Sequence, residues 1–400
     1  MSFATRVLKC DAAAISFPHG SGYPEVSSPG TLAALKSAAH DLVDLRQTVV
    51  FPTETVYGLG AMALDTSASD KIFSTKGRPP DNPLIVHVSS LSMLRTLLPH
   101  GYDLSESYRT LISRFWPGPL TLLFPRNVAV VPSNITAGQS TVAVRMPSHP
   151  VARALIAISD TPLAAPSANS SGKPSPTRAE HVLHDLNGKV ALILDGGACG
   201  VGLESTVIDG LHEDGDLRVL RPGGVTVEAI ERALAEASQG KHVPKVLVYR
   251  RDYRDQTLEN APTTPGMKYR HYSPSVPVIL LLTSTPVPNE HQAVSFAELL
   301  SELEVNWHLP RTCKVGLMFQ SDSALAGVPL SSDGFEWYKF PLGAVLKPAI
   351  SAQRLFDGLL TLERQGVDLI LVEEIRENDE GLAFMNRVKK AAGSHRWIRL

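Results

Sequence analysis

From Thr31 onward apolar residues recur at helical spacing, at Leu32, Leu35, Ala39, Leu42, Val43 and Leu45, before closing up into the run Val49–Val50–Phe51. The first pattern predicts an amphipathic helix and the second a buried strand. The same alternation continues downstream. Strands are predicted near 84–88, 120–124, 141–146, 162–165, 191–194, 205–208 and 217–220. Helices are predicted over 66–75, 90–98, 105–115, 149–159, 178–186 and 226–236. Hairpin-like spacing interleaved with helices predicts a mixed α/β (α+β) fold, a twisted open sheet with helical cover, not a regular parallel βαβ array.

Between 238 and 275 the periodicity fades and prolines and charges take over, which reads as a linker. It returns with VILLL at 278–282, a helix over 293–305, KVGLMF at 314–319, a helix over 351–365, LILV at 369–372 and a helix over 381–391. That order predicts a small Rossmann-like α/β domain with a parallel sheet. A chain of 400 residues also exceeds the roughly 250–300 at which one core stops growing. The expected organisation is a poorly ordered N-terminal extension over 1–29, a first domain over 30–237, a linker over 238–275 and a second domain over 276–400.

Composition narrows the function. Hydrophobic residues at 43% and charged residues at 20% exclude a disordered chain. A net charge of −2 argues against capture of nucleic acid by overall charge, leaving only a local basic cleft for such contacts. Three scattered cysteines without a CxxC pair predict neither a zinc site nor a disulfide framework. No apolar run of membrane-spanning length and no signal peptide is found, so a cytoplasmic protein without membrane contact is expected. Arg6 and Lys9 in an acid-poor start leave an additional mitochondrial pool open.

Candidate chemistry gathers in loops. "FPTETVYGLG" at 51–60 sets the hydroxyls of Thr53, Thr55 and Tyr57, the Glu54 carboxylate and two glycines just after a strand. "KGRPPDNPLIVHV" at 76–88 places Lys76 and Arg78 at a helix end, where cations complement the dipole or meet phosphates. In "QSTVAVRMP" Arg145 shares a strand face with Thr141 and Ala143. Burying its guanidinium without an anion costs several kcal/mol, so its partner is an internal carboxylate or a bound anion. Arg221 in "VLRPGG" tilts this toward an anion-binding cleft. The loops "PLAAPSANSSGKPSPT" at 162–177 and "DGGACGVGLESTVID" at 195–209 carry small residues that admit close backbone approach and anion nests. No phosphate loop, nucleophile elbow or HExxH helix occurs. His181 and His184 lack a third ligand and are expected at the surface.

"FPTETVYGLG", "KGRPPDNPLIVHV", "FWPGPLTLLF", "STVAVRMP", "PLAAPSANSSGKPSPT", "GLESTVID" and "VLRPG" occur in the order of a YrdC-like domain, and "TPGMKYRHYSP" resembles the linker joining it to a Sua5 domain. The likeness runs from about residue 28 to the C-terminus. The chain thus resembles the two-domain Sua5/YrdC/YwlC family of threonylcarbamoyl-AMP synthases. That resemblance implies a nucleotidyltransferase that makes L-threonylcarbamoyl-adenylate and pyrophosphate from L-threonine, bicarbonate or CO2, and ATP with Mg²⁺ on its phosphates. The product serves the threonylcarbamoyl modification of adenosine 37 in tRNA, so a downstream tRNA threonylcarbamoyl transferase machinery and a weak tRNA contact are implied partners.

By match to the family pattern, Thr55, His87, Arg145, the backbone of Ala165, and Ser205 resemble the threonine site. Arg78, Asn82, Thr141, Ser167, Ser175 and Arg221 resemble the ATP site. Lys76 is expected to face phosphates and to act with Arg78 in catalysis, and no side chain is expected to ligate a metal. Tyr269 and Tyr272 are expected to close over the nucleotide, with 262–274 acting as a lid. Arg145 is expected to clamp the threonine carboxylate with its planar fork and to need no internal acid. The second domain offers no catalytic constellation and is expected to dock or regulate. A non-catalytic RNA-binding module is the alternative, disfavoured by the slight acidity and the lack of a basic stripe with aromatics. A carbamoyl-adenylate-forming relative of hydrogenase maturation factors is disfavoured because the cysteines cannot supply its zinc segments.

Overall fold

The computed structural model describes residues 4–18, 22–238, 240, 242–256, 271–306, 312–330 and 334–400. The chain forms two units, Met1–Ser171 with Ser175–Tyr269, and Gly172–Pro174 with Arg270–Leu400.

The first unit opens with β1 (Arg6–Lys9), β2 (Ile15–Ser16), β3 (Glu25–Val26), α1 (Pro29–Val43), β4 (Val49–Phe51), β5 (Gly58–Met62), α2 (Thr66–Lys76), β6 (Ile85–His87), α3 (Leu91–Leu97) and α4 (Glu106–Phe115). It continues with β7 (Leu120–Pro125), β8 (Thr141–Arg145), α5 (Pro150–Ile158), β9 (Leu163–Ala164), α6 (Ala179–Leu186), β10 (Leu192–Asp195), β11 (Thr206–Asp209), β12 (Leu217–Arg221), α7 (Val227–Ser238) and β13 (Val246–Val248). Among the described residues one sheet runs β1-β10-β4-β5-β9-β6-β8-β7-β11-β12-β13. It is mixed as expected: β6 and β8 pair parallel, whereas β8 and β7 pair antiparallel.

Local chemistry sets the helix ends. Ser28 accepts the Thr31 N–H to cap α1, with Pro29 in the first turn. Asp65 caps α2, and Gly77 ends it in the left-handed region at φ 60. Leu35, Ala38 and Leu42 of α1 and Val151, Ala154 and Leu155 of α5 form one core with Val49, Phe51, Leu192 and Leu194.

Three segments depart from the sequence reading. Residues 6–9 are no loose extension: β1 pairs parallel with β10, and Cys10 and Ile15 enter the α1–α5 core. A four-residue strand with a charge at each end carries too little alternation to register. Residues 58–62 form β5, because Phe51 covers the two glycines that interrupt the pattern. The stretch read as linker from 238 holds β13, parallel to β12, and Tyr249 packs with Ile85, Leu123, Ala143, Val207 and Leu220. The expected lid, 262–274, falls mostly outside the described residues.

The second unit contains β14 (Val278–Leu282), β15 (Val294–Ser295), α8 (Phe296–Asn306), β16 (Cys313–Phe319), β17 (Phe335–Pro341), α9 (Pro348–Arg364), β18 (Leu369–Glu373), α10 (Glu380–Ala391) and β19 (Ser394–Arg399). Its described strands run β15-β19-β14-β18-β16-β17 and pair parallel throughout. Phe296, Leu299, Leu300 and Leu303 of α8 pack on Leu281, Leu317 and Leu371.

Candidate functional site

Strand register assembles the site. Arg145, at the end of β8, lies beside His87 of β6 on one side and Thr121 of β7 on the other. Thr121 Oγ1 is 2.7 Å from Ser205 Oγ, just ahead of β11. Arg221, at the end of β12, donates from Nε and Nη2 to Ser205 O at 3.2 and 3.0 Å, and from Nη2 to Ser205 Oγ at 3.3 Å. His87, Arg145, Thr121, Ser205 and Arg221 are all buried, so two guanidinium groups end on one apolar-backed row.

The turn after β4 completes the row. Thr53 Oγ1 accepts the N–H groups of Thr55 and Val56, each at 3.2 Å, and donates to Val56 O at 2.6 Å. This holds Thr55 Oγ1 2.7 Å from Thr53 Oγ1 and in reach of Arg145, whose Nη1 donates to it at 2.9 Å. Arg145 Nε donates to Gly118 O at 3.2 Å, and Nη2 lies 2.5 Å from Glu54 Oε1 in an ion pair. The expectation that Arg145 needs no internal acid is therefore corrected. A guanidinium this buried requires a counter-charge in the fold itself, and Glu54 supplies it.

A second group forms where α2 ends. Arg78 Nη2 donates to Asn82 O at 3.4 Å, and Asn82 Oδ1 is buried without a hydrogen-bond partner. Ser175 donates to Glu204 Oε1 at 2.6 Å, next to Ser205 in the chain. Lys76 differs from its expected phosphate-facing position. Its Nζ donates to Ser167 O, to Asn169 O at 2.6 Å and to Asn169 Oδ1 at 3.4 Å. Three acceptors from one loop occupy the three N–H groups of an ammonium, so this lysine holds the 167–169 loop to the end of α2.

Burial governs the titration of both groups. Burial first, then the Arg78 charge, lowers Lys76 to about 7, with Asp185 and Glu204 opposing. Burial and then Arg145 push His87 down to about 3, against backbone acceptors at Ile85 and Leu163, so its imidazole is neutral at pH 7.

The remaining expectations land unevenly. The Ala165 N–H is spent on Ile85 O at 3.0 Å. Ser167 bridges to Gly58, and Thr141 begins β8 half-buried with Pro125 opposite. Tyr272 belongs to the second unit, where it is 1% exposed and its ring packs 5.2 Å from Phe356. Tyr269 lies outside the described residues. His181, expected at the surface, is buried, its Nδ1 accepting the Thr177 N–H at 3.3 Å. Sequence reasoning missed Glu54 and Glu204 as partners, Asn169 as an anchor and Thr121 as a bridge. Only for Thr121 was there a signal, its place opposite Arg145 once β7 and β8 are paired.

Two family profiles match this chain. One, Sua5_yciO_yrdC, described as Telomere recombination, covers residues 43–223, and Threonylcarbamoyl-AMP synthase, C-terminal domain, covers 225–393. The Threonylcarbamoyl-AMP synthase of Schizosaccharomyces pombe is 43% identical over 420 residues, spanning 97% of this chain and 96% of the relative. The chain belongs to the two-domain Sua5/YrdC family. A second member, the Threonylcarbamoyl-AMP synthase of Pyrococcus abyssi, is 43% identical over 86% of this chain and 90% of its own length. The crystal structure of P. abyssi Sua5 complexed with L-threonine is similar at TM-score 0.75 and 37% identity, covering 99% of each chain. Among shorter members, a Putative threonylcarbamoyl-AMP synthase of Mycobacterium tuberculosis is 39% identical over 53% of this chain and 92% of its own length.

Proposed function

We propose that this Sua5-family chain is an L-threonylcarbamoyladenylate synthase, a nucleotidyltransferase that joins L-threonine, CO2 or bicarbonate, and ATP, with release of pyrophosphate. The adenylate then serves threonylcarbamoylation of tRNA adenosine 37. The observation that carries the reading is Arg145, buried with Thr55 at the end of β8, in a chain similar over its full length to proteins named for this activity.

Arg145 takes the threonine carboxylate, because its guanidinium presents N–H groups at the spacing of carboxylate oxygens. Thr55 and Ser205 offer hydroxyls to the threonine side chain. Valine, of similar shape, would leave those buried groups unpaired and is rejected on that ground. His87, neutral at pH 7, adds no further cation beside an amine that must lose its proton to react. The neutral amine adds to CO2 to give a carbamate and a proton. A carbamate oxygen then attacks the α-phosphorus, and the bond to pyrophosphate breaks.

Arg78 and Arg221 face the phosphates in this reading, and Ser167, Ser175 and Thr141 complete the ATP contacts. Asn82 Oδ1, buried without a protein partner, suits a donor on the nucleotide. Magnesium enters in this reading as part of the MgATP substrate, bridging its phosphates. Lys76 serves by holding the 167–169 loop. Positioning dominates: well-oriented reactants reach effective molarities of about 10⁵–10⁸ M, whereas general acid–base help contributes about 10²–10⁴-fold.

The test is incubation with ATP, Mg²⁺, bicarbonate and each amino acid in turn, with mass detection of the adenylate. Threonine alone should yield a threonylcarbamoyl-adenylate with matching pyrophosphate. Pyrophosphate release indifferent to threonine or bicarbonate would end the reading.

A further inference from the structure

Glu54 has no part in the chemistry just described, yet two separate segments converge on it, the end of β8 with the turn beyond it and the glycine loop ahead of β11. Its Oε2 accepts the Ser148 N–H at 3.2 Å, beyond β8, and its main-chain carbonyl accepts the Val201 N–H at 2.7 Å, from the glycine loop ahead of β11. Its Oε1 lies 2.5 Å from Arg145 Nη2. That contact is electrostatic, since neither atom has hydrogen-bond geometry with any protein group. Arg145 therefore spends one N–H on Gly118 and one on Thr55 and turns one side of Nη2 to Glu54, which leaves one N–H on each terminal nitrogen. A buried guanidinium with unspent N–H groups on its terminal nitrogens is poised for a second anion.

We propose that Glu54 is a positioning residue for the amino acid: it fixes the Arg145 guanidinium at the end of β8 so that the unspent N–H groups meet the substrate carboxylate. This rests on the reading that Arg145 holds that carboxylate. The arginine stem has several rotatable bonds, and without a tethered counter-charge its head group would turn toward whichever loop carbonyl or water neutralised it. Glu54 can act as a fixed reference because its carboxylate is pinned on Ser148 and its backbone on Val201. One fixed carboxylate also raises the orientational demand on the second, since the incoming anion must approach the side of the guanidinium that Glu54 does not cover.

The experiment measures pyrophosphate release by the full-length chain, varying threonine at saturating ATP and ATP at saturating threonine. Glu54→Gln, which keeps the shape and removes the charge, should raise the threonine KM on the order of tenfold and leave the ATP KM within about twofold. L-threoninamide, which lacks the carboxylate, should show a KM that Glu54→Gln barely moves. The double variant Glu54→Gln/Arg145→Ala should be no worse for threonine than Arg145→Ala alone, because the two residues act as one unit. An unchanged threonine KM in Glu54→Gln, equal losses for threonine and ATP, or multiplying effects in the double variant would each overturn the proposal. Should Glu54→Gln fail to fold, Glu54→Asp decides in its place. It keeps the charge but withdraws it by one methylene, and should raise the threonine KM by a smaller factor, whereas no change overturns the proposal. The underlying reading fails separately, if Arg145→Ala leaves the threonine KM untouched.

Discussion

Thr53 closes the turn after β4 with one oxygen that accepts two N–H groups and donates to Val56 O, and this fixes where Thr55 stands. Thr53→Val keeps the shape but strands those buried groups, and should cost about 1–3 kcal/mol in a urea melt. It should also weaken threonine use through Thr55. His87 makes a prediction of the opposite kind. Its imidazole protonates only near pH 3 in the fold, against a free value of 6.5. Between those values the unfolded chain binds a proton that the folded chain does not, so this group makes stability fall as pH drops from 6.5 toward 3. The slope is at most about 1.4 kcal/mol per pH unit. Melts of His87→Gln at pH 4 and pH 7 should differ by less than those of the wild type, and an equal difference would contradict the neutral imidazole. Arg145 was legible in the sequence as a charge needing an anion, because it interrupts an apolar strand. Glu54 was not legible as that anion, since only the folded turn brings the two together.

At the level of elements, the long periodic helices and central strands of both units could be read from hydrophobic spacing, because each buries a whole face. The edges could not. β1 has two apolar residues between charges and β13 only three in all, runs too short to show a period, and each is completed as a strand by a neighbour's backbone, which sequence does not display. The approach of β12 to β11 is likewise set by an absent side chain. A Cβ on Gly223 would lie 2.3 Å from Glu204 O, 2.4 Å from Ser205 C and 2.5 Å from Thr206 N. Those backbone atoms cannot yield without moving Ser205 away from Thr121 and Arg221. Gly223→Ala should therefore lose about 1–3 kcal/mol of stability and most adenylate formation. Gly200→Ala, with nothing within 4 Å of the added Cβ, is the control and should leave both unchanged. Equal behaviour of the two variants by thermal melting and adenylate yield would refute the close-approach argument.

At the scale of the whole molecule, the question is where the catalytic body ends. Hydrophobic spacing puts that boundary at 237, since α7 is the last strongly periodic element before charges and prolines take over. The packing moves it. β13 pairs with β12 through Leu217, Arg218 and Val219, and Tyr249 closes a core built from β6, β7, β8, β11 and β12, the strands that carry His87, Thr121, Arg145 and Arg221. Cutting at 237 exposes the edge of β12 and one side of that core. Two fragments therefore separate the alternatives. Residues 1–256 should fold with a cooperative thermal transition and form adenylate from threonine, with whatever the remainder of the chain contributes appearing as a raised ATP KM. Residues 1–237 should aggregate or melt at least several degrees lower, because an unpaired strand edge invites association and each kcal/mol lost moves the midpoint of a domain this size by about 2–4 °C. If the shorter fragment proves as stable and active as the longer one, β13 and Tyr249 are accessories and the boundary read from periodicity stands. If the longer one is folded yet inactive at every ATP concentration, a group beyond residue 256 is essential to the reaction, and the site is not contained in the first unit.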